Sequence, residues 1–126
     1  MLSFVYEPEK LSSMKHNSIF CMSGKVFSKI YSDKVNNKKL LKFLKHLGKL
    51  YFSFSSQNKV ELMNFYKEME TKTVCMVGDG PNDTNAILTS HVGIRINVSK
   101  INNETNLTHF YSSEGITCIE KIIKNN

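Results

Sequence analysis

Residues 73–77, TVCMV, form an apolar run without charge, and residues 92–96, VGIRI, form a second one. Between them lies GDGPNDTNAILTSH, which opens with two glycines, two carboxylates and an asparagine within six residues. No other feature constrains the fold as tightly. The connection from Val77 to Val92 is too long for a hairpin and long enough to hold a helix, so a parallel crossover is expected. Strands in such a sheet are covered on both faces and therefore read as continuous apolar runs without alternation.

The rest of the chain repeats the alternation. SIFCM (residues 18–22) is a strand candidate, Gly24 a turn and KVFSKIY a short helix. NNKKLLKFLKHLGK puts Leu40, Phe43, Leu44 and Leu47 at helical spacing, with Gly48 as a C-terminal stop. LYFSF (residues 50–54) is a further strand. SQNKVELMNFYKEME is a second amphipathic helix, with Val60, Met63 and Tyr66 on its face and Ser55 or Ser56 as its cap. Residues 99–115 are polar and turn-rich, and ITCI followed by EKIIK closes the chain as a strand and the start of a helix. Strands alternating with helices predict an α/β layer structure around one mainly parallel sheet. Residues 1–17 are expected to be a connector that packs on something else.

Composition excludes several classes. The chain has 126 residues and 40% hydrophobic content, enough for one modest core. Its net charge of +6 is spread over many lysines, with Arg95 the only arginine. A surface built to read nucleic acid favours the arginine fork, so no nucleic-acid partner is expected. Cys21, Cys75 and Cys118 are odd in number and widely spaced, which predicts free thiols, buried where they fall in apolar runs. No run approaches the ~18 residues of a membrane span, so the segment is expected to be soluble, without direct membrane insertion. The four histidines do not cluster, and His91 is expected to be packed or hydrogen-bonded rather than a ligand.

The acids sit where open parallel sheets bind their ligands, beyond the carboxyl ends of the strands. Asp79 follows Val77 by two residues and is expected to project at that edge. Gly78 and Gly80 are expected to adopt positive φ and to leave room for a phosphate. A short carboxylate suits Mg²⁺, which keeps water and substrate phosphate in its shell. Asn82 or Asp83 is expected to cap the following helix, whose exposed amides favour an anion. Lys59 follows the LYFSF strand by five residues and is placed to reach the same edge and neutralise phosphate charge. The simpler reading of a Gly-Asp-Gly turn is an ordinary tight turn with Asp83 as a helix cap, and of Lys59 a solvated lysine. Their occurrence together favours a shared site.

On those residues the chain resembles P-type ATPases. VCMVGDGPNDTNAILTSHVGIRIN looks like their hinge motif, within the haloacid-dehalogenase-like fold, and FSFSSQNKVELM is similar to their Ser-Pro-Glu-Gln-Lys segment. SIFCMSGKVFSKI resembles the Thr-Gly segment that leads back into the phosphorylation domain. The GKVF continuation and the tail THFYSSEGITCIEKIIKNN are similar to the type V subgroup, polyamine or cation transporters of internal membranes. The likeness covers residues 18–126 and implies the C-terminal half of a phosphorylation domain, with residues 1–17 a remnant of the nucleotide-binding domain.

The resemblance implies Asp79 and Asp83 as Mg²⁺ ligands, Lys59 and Asp79 as catalytic residues, and Lys59, Gly78, Gly80 and Asn82 as the phosphate-binding set. It implies Mg²⁺ and ATP as cofactors of the intact enzyme. The rest of the ATPase (nucleotide-binding, actuator and membrane domains) would be the partner, on the cytoplasmic face of a membrane. Ser23 stands where threonine is usual, Ser56 where proline is usual, and Pro81 where alanine or valine is frequent. No Asp-Lys-Thr-Gly-Thr occurs, so the nucleophilic aspartate and its strand are missing. The parallel sheet is therefore expected to be incomplete, and these residues alone inactive in ATP hydrolysis. Two rivals are a haloacid-dehalogenase-like phosphatase remnant and a non-catalytic basic binding module.

Overall fold

The computed structural model describes residues 19–46, 48–69, 73–96, 110–112 and 115–125. The expected connector (residues 1–17) and Leu47 lie outside them. The architecture is α/β and every strand pair among the described residues is parallel, as the crossover spacing predicts. The strands do not join one sheet, however. They form a two-stranded sheet, β1-β2, and a three-stranded one, β3-β4-β5. The chain divides accordingly into two compact units, residues 1–54 and 55–126.

In the N-terminal unit, β1 (Ile19–Ser23) pairs with β2 (Gly48–Phe52) through α1 (Gly24–Ser32) and α2 (Lys38–His46). Phe27 is fully buried, stacked on Tyr31 and in contact with the rings of Tyr51 and Phe54. Leu40, Leu41 and Leu44 bury the apolar face of α2. Gly48 lies two residues beyond the end of α2 at His46, as expected of a helix stop, and is also the first residue of β2. β2 ends at Phe52, before Ser53, which takes a positive φ of 51°.

The C-terminal unit runs α3 (Ser56–Met69), β3 (Cys75–Gly78), α4 (Thr84–Thr89), β4 (Val92–Ile96), β5 (Phe110–Ser112) and α5 (Cys118–Asn125). A 3₁₀ turn, Pro81–Asp83, leads into α4. Ser55 caps α3: its hydroxyl accepts the Asn58 N–H at 3.2 Å, and the Asn58 side chain accepts the Ser55 N–H at 3.1 Å. This reciprocal box satisfies two backbone donors at a helix start that otherwise lack partners. Ser55→Ala is expected to cost about 1 kcal/mol in urea unfolding. Among the described side chains of α3, Met63 and Phe65 are buried; the helical spacing identified Met63 and missed Phe65.

Central β4 carries the core of the sheet, with Gly93, Ile94, Arg95 and Ile96 all buried. Edge strand β3 is only half-buried and Cys75 is exposed, contrary to the fully buried strand expected there. Cys21 is also exposed, so only Cys118 is a buried thiol. All three cysteines are free. At the chain's end, ITCI is not a strand: Gly115–Thr117 form a 3₁₀ turn and Cys118 starts α5. The last strand is Phe110–Ser112, within the stretch read as turns. Three residues suffice to pair along β4, and so short a strand leaves almost no periodicity to read.

Candidate functional site

The turn after β3 is built around the Asp83 carboxylate. Asp83 is the last residue of the 3₁₀ turn, and its side chain folds back over it. Its Oδ2 accepts the Gly80 N–H at 3.3 Å, while its own N–H donates to the Gly80 carbonyl at 3.0 Å. Its other oxygen, Oδ1, accepts from the Lys59 ammonium at 2.6 Å. Asp83 is 6% exposed and the Lys59 side chain 23%, so the pair is largely withdrawn from water. Lys59 comes from the first turn of α3, and the cap at Ser55 fixes where that turn begins. The expected Ser55–Lys59 and Gly78–Asp83 segments therefore do meet, across 24 residues of sequence.

Burial of the Asp83 carboxyl opposes its ionisation. The Lys59 hydrogen bond, the Gly80 N–H, the Lys59 charge and the Asp79 N–H outweigh that burial, and the carboxyl is held below the usual carboxylate range. Asp83 does not cap α4: it makes no side-chain cap to that helix and turns instead toward Gly80 and Lys59. Its carboxylate instead caps the start of the 3₁₀ turn that leads into α4, through the Gly80 N–H, and pairs with Lys59 as well.

The glycines serve space, not positive φ. Gly80 lies at φ −104° and ψ 161°, an ordinary extended conformation. A Cβ on Gly78 would lie 2.5 Å from the Asp83 Cβ and 2.9 Å from its Oδ2, so the missing side chain is what admits the carboxyl. A Cβ on Gly80 would meet the Asn82 Oδ1 at 2.5 Å. Pro81 is exposed beside Asn82, consistent with a tolerated position. Ser56 is the first residue of α3, the helical position where proline's fixed φ and missing N–H are best accommodated.

Asp79 and Asn82 are exposed at the C-terminal end of β3, where a ligand can approach. The ion pair of Lys59 is with Asp83, four residues beyond Asp79 in the same turn. Both Asp83 oxygens already accept hydrogen bonds. Among the side chains of the turn the Asp79 carboxylate and the Asn82 amide oxygen are exposed, while each Asp83 oxygen keeps only the lone pair beside its hydrogen bond. That set fits an ion held by one carboxylate and completed by water and phosphate, as Mg²⁺ commonly is. Among the described residues no group of three or more His, Cys, Asp and Glu side chains is arranged to hold a metal. His91 behaves as expected, its Nδ1 accepting the Val74 N–H at 3.0 Å.

Sequence reasoning missed Arg95. Opposite Gly78 in the β3-β4 register, it is 6% exposed and donates to the Gly80 carbonyl at 3.3 Å and to the Thr84 hydroxyl. Its Nε is buried without a hydrogen-bond partner. A charge in the middle of a strand read as buried on both faces was the available signal.

The fold and turn define an α/β protein with a lysine-supported carboxylate turn at a strand's C-terminal end. No family model matches the chain, and no curated protein matches it.

Proposed function

We propose that this chain contributes the Mg²⁺- and phosphate-binding hinge of a P-type ATPase phosphorylation domain, with the haloacid-dehalogenase-like fold and of the type V subgroup. The observation that carries the reading is the Lys59–Asp83 pair at 2.6 Å, which ties the two motif segments into one site. The parallel β3-α4-β4 crossover and the exposed Asp79 at its strand end support it further. The subgroup rests on the GKVF and FYSSEGITCIEKII segments alone.

In this account Asp79, with Asn82 beside it, holds Mg²⁺. The ion supplies charge stabilisation to a transferring phosphoryl group. Asp83 orients Lys59, and Lys59 presents positive charge toward phosphate from the first turn of α3. The nucleophilic aspartate and the nucleotide site belong to other parts of the parent enzyme, and ATP is its substrate. The parent is a membrane transporter whose phosphorylation domain lies on the cytoplasmic face. Among the described residues no helix is long and apolar enough to cross a membrane.

Calorimetric titration of the chain with MgCl₂ in the presence of inorganic phosphate tests the reading. Asp79→Asn keeps the side chain's shape and removes a charge from the ion's shell. It is expected to weaken Mg²⁺ binding on the order of tenfold without changing stability, because Asp79 is exposed. Equal Mg²⁺ binding by both proteins would reduce the Gly-Asp-Gly turn to a turn.

A further inference from the structure

We propose that Arg95 is a specificity-determining residue of the Gly78–Asp83 turn, a built-in cation that weakens its hold on bare Mg²⁺. The inference rests on the reading of this turn as a Mg²⁺ and phosphate site. A guanidinium stays charged at any pH at which the protein is folded. Here it is 6% exposed, and among the described residues no carboxylate pairs with it. Its partners are a carbonyl and a hydroxyl, with Nε left over. Neither partner carries the negative charge that a buried cation ordinarily requires.

Arg95 is fastened to the turn itself. Its Nη1 donates to the carbonyl of Gly80, the residue between Asp79 and the Pro81–Asp83 turn. Two consequences follow for a cation. The Gly80 carbonyl, a hard oxygen of the kind Mg²⁺ takes, accepts Arg95 as a second donor beside the Asp83 N–H, so both its lone pairs are engaged. The formal charge of the turn and its supports also changes: Asp79 and Asp83 contribute two negative charges, and Lys59 and Arg95 two positive ones. The sum is zero, where a neutral residue at position 95 would leave minus one. A dication is drawn less to a neutral turn than to a negative one, and partial burial strengthens the difference. A phosphate anion gains from the same charge. Arg95 thereby shifts the turn from binding bare Mg²⁺ toward binding Mg²⁺ that arrives with phosphate.

The test is calorimetric titration of the whole chain with MgCl₂ in phosphate-free buffer, on wild type, Arg95→Met, Arg95→Gln and Arg95→Lys. Methionine removes the charge and keeps much of the length, and glutamine keeps an amide donor for Gly80 or Thr84. Arg95→Met and Arg95→Gln are each expected to bind Mg²⁺ on the order of tenfold more tightly than wild type. Arg95→Lys, which keeps the charge, is expected to stay within about twofold of wild type. Equal or weaker Mg²⁺ binding by folded Arg95→Met or Arg95→Gln overturns the proposal while leaving the Asp79 site standing. Failure of both variants to fold overturns it too, since Arg95 would then be a tie of the core. Absence of Mg²⁺ binding in every variant, with and without phosphate, overturns the reading of the turn and this inference together.

Discussion

Lys59→Ala is expected to destabilise the C-terminal unit by about 2–3 kcal/mol at neutral pH, because it leaves the buried Asp83 carboxylate without its cation. The figure lies below that for a fully buried pair, since Lys59 keeps 23% of its side chain exposed and water enters more readily. The Gly80 and Asp79 N–H groups continue to support the carboxylate, so the site weakens without collapsing. In the wild type the Asp83 carboxyl is held below the usual range. The stability it contributes is therefore present above the unfolded carboxylate value near ~3.9 and is lost as pH falls through the folded value. In Lys59→Ala the largest influence on Asp83 is burial, which raises its pKa, so the variant accepts a proton earlier on acidification. The two stability curves should therefore lie furthest apart at neutral pH and converge below about pH 4. Denaturant unfolding at several pH values measures the gap. A gap independent of pH would show that Lys59 stabilises by packing and not by charge. Asp83→Asn should cost less than Lys59→Ala, since a released Lys59 can turn to solvent whereas a buried carboxylate cannot.

Gly78→Ala is expected to cost about 1–3 kcal/mol, the usual range for overpacking, and to loosen the Lys59–Asp83 pair as well. The added Cβ would lie 2.5 Å from the Asp83 Cβ and 2.8 Å from its Cγ, atoms held close to the backbone, so Asp83 itself must move. Gly80→Ala offers the contrast. The obstruction there is the Asn82 Oδ1, on an exposed side chain that can swing away. Its cost should stay within about 0.5 kcal/mol, the range of ordinary surface changes. Paired thermal melts of the two variants test the difference. Equal costs would mean that the turn needs glycine for its backbone and not for the space that Asp83 fills.

Much of this site was legible because its parts are local in sequence. An uncharged run, a glycine-flanked acid and a helical pattern predict β3, the turn, α4 and β4, and the boundaries of β4 agree residue for residue. The serine before α3 predicted its cap, and through it the position of Lys59 in the first turn. What escaped was tertiary. The partner of Lys59 is Asp83, and spacing cannot tell which of two acids in one turn a lysine meets. The glycines leave room as expected, but a sequence does not show that Asp83, folded over Gly78, is what fills it. Division into two sheets depends on which strands pair, and apolar runs of similar composition carry little information about pairing. β5 has only three residues, and the signal at ITCI is equally that of a helix start. As the only arginine, Arg95 reads first as an argument against a nucleic-acid surface. Its place in a buried strand was the more informative fact.

Localising the metal tests the central claim most directly. Mn²⁺ shares the preference of Mg²⁺ for oxygen ligands and broadens the NMR signals of nearby nuclei. With inorganic phosphate present, sub-stoichiometric Mn²⁺ should first broaden the backbone amides from Gly78 to Asp83, and excess Mg²⁺ should restore them. In Asp79→Asn that broadening should be lost while the spectrum of the fold is kept. Broadening centred on the exposed Glu120 of α5, or an Asp79→Asn spectrum that responds like the wild type, would contradict the account.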